Sequence, residues 1–216
     1  RHLDWSGGRL MYDRNFEPRL KGLDYSHLAL YDVSLRADSF YYCDSKLDIK
    51  LRECSFREKS GLAVNRLHGA FAMDSTRLTL PSMKLQTQAG TNFVVDYNMD
   101  MNAFADKSPG KFSVLAKGQL SKRDLLIFAG DNLPPALAGQ WPRKPLVVVG
   151  DIRGNLRKTH VKNLNLHLPG SFKAQASGFI ENLTDTEHLI ADLDLHVKTN
   201  DMSFVTSMLD RETRKS

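Results

Sequence analysis

Only two cysteines, Cys43 and Cys54, occur in the chain, too few for a disulfide-stapled scaffold. A turn at Asp44-Ser45-Lys46, followed by alternating Leu47-Asp48-Ile49-Lys50-Leu51, puts the cross-strand partner of Cys43 near Leu47. A Cys43–Cys54 bond is therefore not favoured. No run reaches the roughly 18 apolar residues of a membrane-spanning helix. No GxSxG elbow, P-loop or HExxH motif is present. The seven histidines lack compact ligand spacing; His160 and His167, or His188 and His196, stand too far apart in sequence for a zinc motif. Lys and Arg give a net charge of +5 but are scattered, as at Arg14, Lys50, Lys117 and Lys162. A nucleic-acid binder clusters its bases on one face, so no nucleic-acid partner is expected.

The abundant feature is alternation. Of 216 residues, 41% are hydrophobic and 25% charged, enough for a substantial apolar interior. Period two runs through Leu28/Leu30, Tyr31/Val33/Leu35, Phe40/Tyr42 and Leu47/Ile49/Leu51, and it is clearest at Phe93/Val95/Tyr97/Met99. It returns at 161–168, 172–180 and 188–198. Each run predicts a strand with one oily face and one wet face. The turn signals KSPGK, RGNLRK, LPGS and ENLTD leave no room for crossover helices, so the strands are expected to pair as an antiparallel meander.

Two short helices are expected. In LSKRDLLIFAG, Ser121 caps, Asp124 sits third, Leu125, Leu126, Phe128 and Ala129 form a face, and Gly130 stops the helix. In TNDMSFVTSMLD, Asn200 or Asp201 caps a stripe of Met202, Val205, Met208 and Leu209. Laying Leu120–Phe128 on Val197–Val205 aligns Asp124 with Asp201, which suggests a repeated unit of strand then capped helix. The expected organisation is a lead-in over 1–20, a first β-segment over 21–130, a Pro-rich loop over 131–145, a second β-segment over 146–210 and a tail over 211–216. The fold class is mainly β: a curved antiparallel meander, open or folded over as a sandwich, with two short capping helices.

Asp192 and Asp194 share a strand face, with His196 in the same phase and Lys162, Asn163, Asn165 and His167 nearby in sequence. Alternation alone accounts for them, opposite Leu193, Leu195 and Val197. No catalytic, metal or cofactor site is assigned, and the chain is read as non-enzymatic. Two helices cannot cover so many strands. Either the sheet closes on itself or part of its oily face stays open and calls for a partner. The candidate residues for such a face are Leu78, Leu80, Leu164, Leu166, Leu168, Leu193, Leu195 and Val197.

The run YDVSLRADSFYYCDSKLDIKLRECSFREKSGLAVNRLHGAFAMDSTRLTLPSMKLQTQAGTNF (31–93) resembles the AsmA-like and TamB-like cell-envelope proteins of Gram-negative bacteria, in particular their large Bacteroides-type representatives. FREKSGLAV, the DSTRLTLPSMKLQT hairpin, GQLSKRDLLIFAG and VVVGDIRGNLRKTHVKNLNLHLPGSFKAQASGFIENLTD carry the likeness. It covers most of 20–205 as a texture of hairpins; Gly90 stands where a Ser is expected. The resemblance implies a periplasmic, taco-like apolar groove in a parent chain anchored in the inner membrane through parts not present here. It implies phospholipid or another acyl-chain lipid as partner, with outer-membrane assembly or envelope proteins beside it. The cargo path would run between inner and outer membranes. The chain opens at Arg1 without methionine and is expected to be a piece of something longer. The alternative is a closed β-sandwich serving as a structural or protein-binding module of a large envelope protein.

Overall fold

The computed structural model describes residues 2–105, 107–130, 139, 141–185 and 187–200. Within them the chain forms eleven strands and one helix in the order β1 (Leu3–Asp13), β2 (His27–Cys43), β3 (Lys46–Glu58), β4 (Ala63–Met73), β5 (Arg77–Thr87), β6 (Asn92–Asp100), β7 (Phe112–Leu120), α1 (Lys122–Ala129), β8 (Leu146–Gly154), β9 (Lys158–Leu168), β10 (Phe172–Glu181) and β11 (Ile190–Thr199). All strands lie in one sheet whose spatial order is the sequence order, and every neighbouring pair is antiparallel. The sheet is open, with β1 and β11 as its edges. Among the described residues no second sheet packs on it, so the closed-sandwich architecture is not adopted. The expected mainly β meander is what forms.

The boundaries differ from expectation in three ways. Residues 1–20 are not a lead-in, since Leu3–Asp13 is a paired edge strand. Its alternation is disguised because the register slips on both sides of Gly8, which moves the apolar phase from Leu3 and Trp5 to Leu10 and Tyr12. The loop at 131–145 does not divide two sheet segments. β7 and β8 pair over their whole length, from Phe112↔Gly154 to Leu120↔Leu146. The three short runs Leu28/Leu30, Tyr31/Val33/Leu35 and Phe40/Tyr42 are one 17-residue strand broken in phase by bulges on β2 and β3. Asp32 takes a positive φ of 53° at the first of them. Pro81 is accommodated in β5 in the same manner. The ladder skips from Leu80↔Tyr97 to Met83↔Val95, and the Ser82 N–H donates to the Asp96 side chain, Oδ1 at 2.8 Å, rather than to the backbone of β6.

Helix α1 starts and stops where the sequence places it. Ser121 is the N-cap and its hydroxyl accepts the Asp124 N–H; Gly130 ends the helix with its own N–H donated to the Leu126 carbonyl. The buried positions are Asp124 and Ile127, whereas Phe128 points outward, so the packed face is rotated from the expected Leu125–Phe128 stripe. The reason is a polar anchor. The Thr87 hydroxyl donates to Asp124 Oδ2, the Thr91 N–H donates to Thr87 Oγ1 at 3.1 Å, and the Ser121 N–H donates to Thr91 Oγ1 at 3.0 Å. This chain bolts the helix start to the β5–β6 turn. The second expected helix, at Met202–Leu209, lies outside the described residues, as does the strand–helix echo built on it.

At the start of β2, Asp24 is buried and satisfied by Leu20 N–H at 3.0 Å, Ser26 N–H at 3.1 Å and His27 Nδ1 at 2.8 Å. The Leu20 bond foremost, helped by His27 and Ser26, holds its carboxyl below the ordinary value of 3.8 against the opposing effect of burial. A lowered folded pKa stabilises the fold above the ordinary carboxylate range, and that stabilisation is lost as pH falls through the lowered value.

Three outcomes follow from this packing. Cys43 is exposed and Cys54 buried, neither bonded, and burial raises the Cys54 thiol; a thiol reagent should titrate one cysteine in the native protein and two in denaturant. Asp124→Ala strands the Thr87 hydroxyl and the helix start, and should lower the urea-unfolding free energy by about 2–3 kcal/mol. Below about pH 4 the melting temperature of the native chain should fall more steeply than that of Asp24→Asn, and parallel slopes would contradict the role given to Asp24.

Candidate functional site

Residues directly opposite each other on antiparallel neighbours point to the same face, so the register sorts every side chain. One row runs Ala116, Gly150, Leu164, Ala176 and Leu195 across β7–β11. The next runs Gly118, Val148, Leu166, Ala174 and Val197. On the other half, Leu47, Met73, Leu78, Met99 and Phe112 form one row, and Leu67, Leu85, Phe93 and Gly118 form another. The rows join without a change of face, so a single apolar wall crosses all eleven strands. At about 4.8 Å per strand spacing it extends roughly 48 Å across the sheet. The reverse face carries the polar phase, including Lys50, Arg66, Lys84, Lys117, Asn165 and Gln175.

The two apolar clusters that cover this wall are small and lie at one end. Ile127 of α1 joins Leu62 and Val64, with Phe56, Leu67 and Leu85 against them. Leu125 packs on a second cluster of Trp141, Leu146 and Leu168, joined by Leu120, Val148, Leu166 and Phe172. The Trp141 ring meets Phe172 edge-on at 6.4 Å. A helix of eight residues is only about 12 Å long, yet its side chains belong to clusters that reach from β3 to β10. The sheet therefore bends around it, with the apolar wall on the inside. Away from that end burial is isolated, at wall residues such as Ala37 and Val161. No hydrophobic residue of β5, β6, β7, β10 or β11 is fully buried.

The eight residues expected on the open face all fall on this wall. Leu78 and Leu80 sit on β5 opposite Met99 and Tyr97; Leu164 and Leu166 sit on β9 opposite Ala176 and Ala174; Leu193, Leu195 and Val197 line β11. Leu168 differs from the rest in having no exposed surface, since Trp141 and Leu146 seal it into the closed end. Leu195, at 61% exposure, is at the other extreme. The wall is also wider than those eight. Trp5, Leu10, Phe40, Phe71, Val95 and Ile152 share it. The Phe93–Met99 alternation was signal enough for its part; Trp5 and Leu10 were hidden by the slip at Gly8.

The wall's relief comes from residue size. Ala116, Gly118 and Gly150 make a shallow hollow over β7–β8 and Ala174 and Ala176 a second over β10, with Leu164 and Leu166 of β9 standing between them and Leu195 beyond. At Gly118 a Cβ would lie 2.1 Å from the Asn92 carbonyl and 2.9 Å from the Phe93 ring, so the absence of a side chain there lets the ring of Phe93 lie down over the backbone. On β6 the wall carries a polar group. The Tyr97 hydroxyl donates only to Met99 sulfur, at 3.0 Å, and burial raises its pKa.

The polar face does not assemble reacting groups. His167 pairs with Lys173, which pairs with Lys198; Asp194 lies four residues along β11 from Lys198, about 13 Å away. Asp194 meets only exposed His196, at 3.3 Å. Asp151 is held below its ordinary value chiefly by its bond to Arg153, a structural pair on an outer strand face. Two hollows of about 330 Å³ are lined largely by polar-face groups such as Asp32, Ser55 and Arg57, or Asn98, Ser113 and Arg153. No group of three or more potential metal ligands occurs among the described residues. No helix among them is long and apolar enough to cross a membrane. No protein-family model matches the chain, and neither a curated protein nor a solved structure is significantly similar to it.

Proposed function

We propose that this chain is a segment of an AsmA/TamB-like periplasmic envelope protein whose apolar trough conducts phospholipids between inner and outer membranes or supports outer-membrane biogenesis. The observation that carries the reading is the wall itself: one continuous, mainly apolar face, eleven strands wide, with its main cover at one end. Exposed apolar surface of that extent is a standing cost in water and marks a binding face. An acyl chain laid on it gains about 0.8 kcal/mol for each CH₂ removed from water. Dispersion and burial have no preferred direction, so a chain held this way can slide along the wall without breaking a specific bond. The hollow of Ala174 and Ala176 gives such a chain a bed, and Leu164 and Leu195 on the flanking strands its banks.

Lipid extracted from the purified protein and identified by mass spectrometry, together with uptake of labelled phospholipid, tests the reading. The native chain should carry or take up phospholipid. Leu164→Asp combined with Leu195→Asp should reduce uptake about ten-fold or more, the loss of roughly two buried CH₂ groups of contact, with circular dichroism unchanged. A protein that emerges free of lipid and takes none up overturns it.

A further inference from the structure

The two ends of the sheet differ in charge. At the end bearing the β2–β3, β4–β5 and β6–β7 turns, acids and bases are interspersed: Asp44 with Lys46, Asp74 with Arg77, Asp100 with Lys111. At the α1 end the signs separate by depth. Asp24, Glu58 and Asp124 are buried and spent. Asp24 holds His27 and two backbone N–H groups, Glu58 accepts the Ala29 and Ser60 N–H groups, and Asp124 holds Thr87. Glu17 and Asp13 are taken by Arg14 and Arg19. The bases Lys21, Lys59, Arg123, Arg143 and Lys144 are exposed, and no ion pair involves them among the described residues.

Apolar side chains stand among these bases. The β1–β2 loop exposes Phe16 at 77%, Leu20 at 64% and Tyr25 at 68%. The loop is not loose. It is pinned through Asp24, and its Leu23 N–H donates to the Ile127 carbonyl at 2.9 Å, which sets it against the C-terminal end of α1, where Phe128 is also exposed. Arg14 lies over the Phe16 ring at 5.0 Å. Arg123 reaches the Gly61 carbonyl at 3.2 Å, which brings the β3–β4 turn with Lys59 beside the same helix.

We propose that this end of the molecule is a membrane-docking surface, which inserts Phe16, Leu20 and Tyr25 at the interface of a bilayer and sets Lys21, Lys59 and Arg123 against anionic phospholipid headgroups. Aromatic and leucine side chains on a basic rim are the chemistry of a polar–apolar boundary, and the counter-charge that these bases lack among the described residues is what a layer of acidic headgroups supplies. A neutral protein partner would leave the bases uncompensated. The surface lies at the covered end of the wall, outside its open stretch, and its docking does not depend on what the wall carries.

Co-sedimentation of the full chain with phosphatidylcholine vesicles, with and without phosphatidylglycerol, tests this. Binding should require phosphatidylglycerol and weaken as salt is raised. Phe16→Ser/Leu20→Ser/Tyr25→Ser should abolish it. Lys21→Glu/Lys59→Glu should weaken it by at least about five-fold per base removed, while Lys46→Glu/Lys111→Glu, the same charge change at the opposite end, should leave it intact. Leu164→Asp/Leu195→Asp should lose lipid uptake but keep vesicle binding, which separates this surface from the wall. Absence of binding, equal binding to both vesicle types, or equal loss from the two charge-reversal pairs would overturn the proposal.

Discussion

A strand that alternates apolar and polar residues has to hide one side from water, and eleven of them in a single layer multiply that demand. Everything else in this molecule is arranged around it. The main internal cover among the described residues is α1, with Leu23 and Leu62 beside it, and Trp141, all at the same end. The sheet answers in part by bending toward that cover, which draws β3–β5 and β7–β10 onto one short helix. What it cannot shelter stays open along β5–β7, β10 and β11.

The polar chemistry serves that arrangement. The Thr87–Thr91–Ser121–Asp124 chain and the Asp24–His27 pair place buried acceptors only where each has donors to satisfy it. Both lie where backbone must turn at the covered end. The charges on the reverse face form pairs such as Arg153 with Asp151 and Lys158 with Glu181, typical of a solvated strand surface and worth little each.

Much of this could be read from residue order, and the failures have a common cause. The period-two pattern at Phe93–Met99, and the one at Leu193–Val197, place strands and face together. Turn residues at Pro169-Gly170 and Asp74–Thr76 set the meander. Ser121, Asp124 and Gly130 mark the helix termini. The pattern misleads wherever a bulge inserts one residue, because the apolar phase then changes parity while the wall runs on. That is why β2 looked like three pieces, why β1 looked like a linker around Gly8, and why Tyr31, in phase with Val33 by counting, faces the other way. Ile127 could not be ranked above Phe128 from helical spacing alone, since a distant threonine fixes the helix's rotation. The sealing of Leu168 needed Trp141, which no periodic pattern in the sequence places over β8–β10.

Because each strand pairs only with its sequence neighbours, the sheet is close to one-dimensional. Its contacts are local, which favours rapid, zipper-like assembly from any hairpin and piecemeal opening from the edge strands. Capacity is then a matter of counting. Adding or removing a hairpin changes the span by about 10 Å while leaving every other pairing intact, so reach can be tuned by duplication without redesigning the rest.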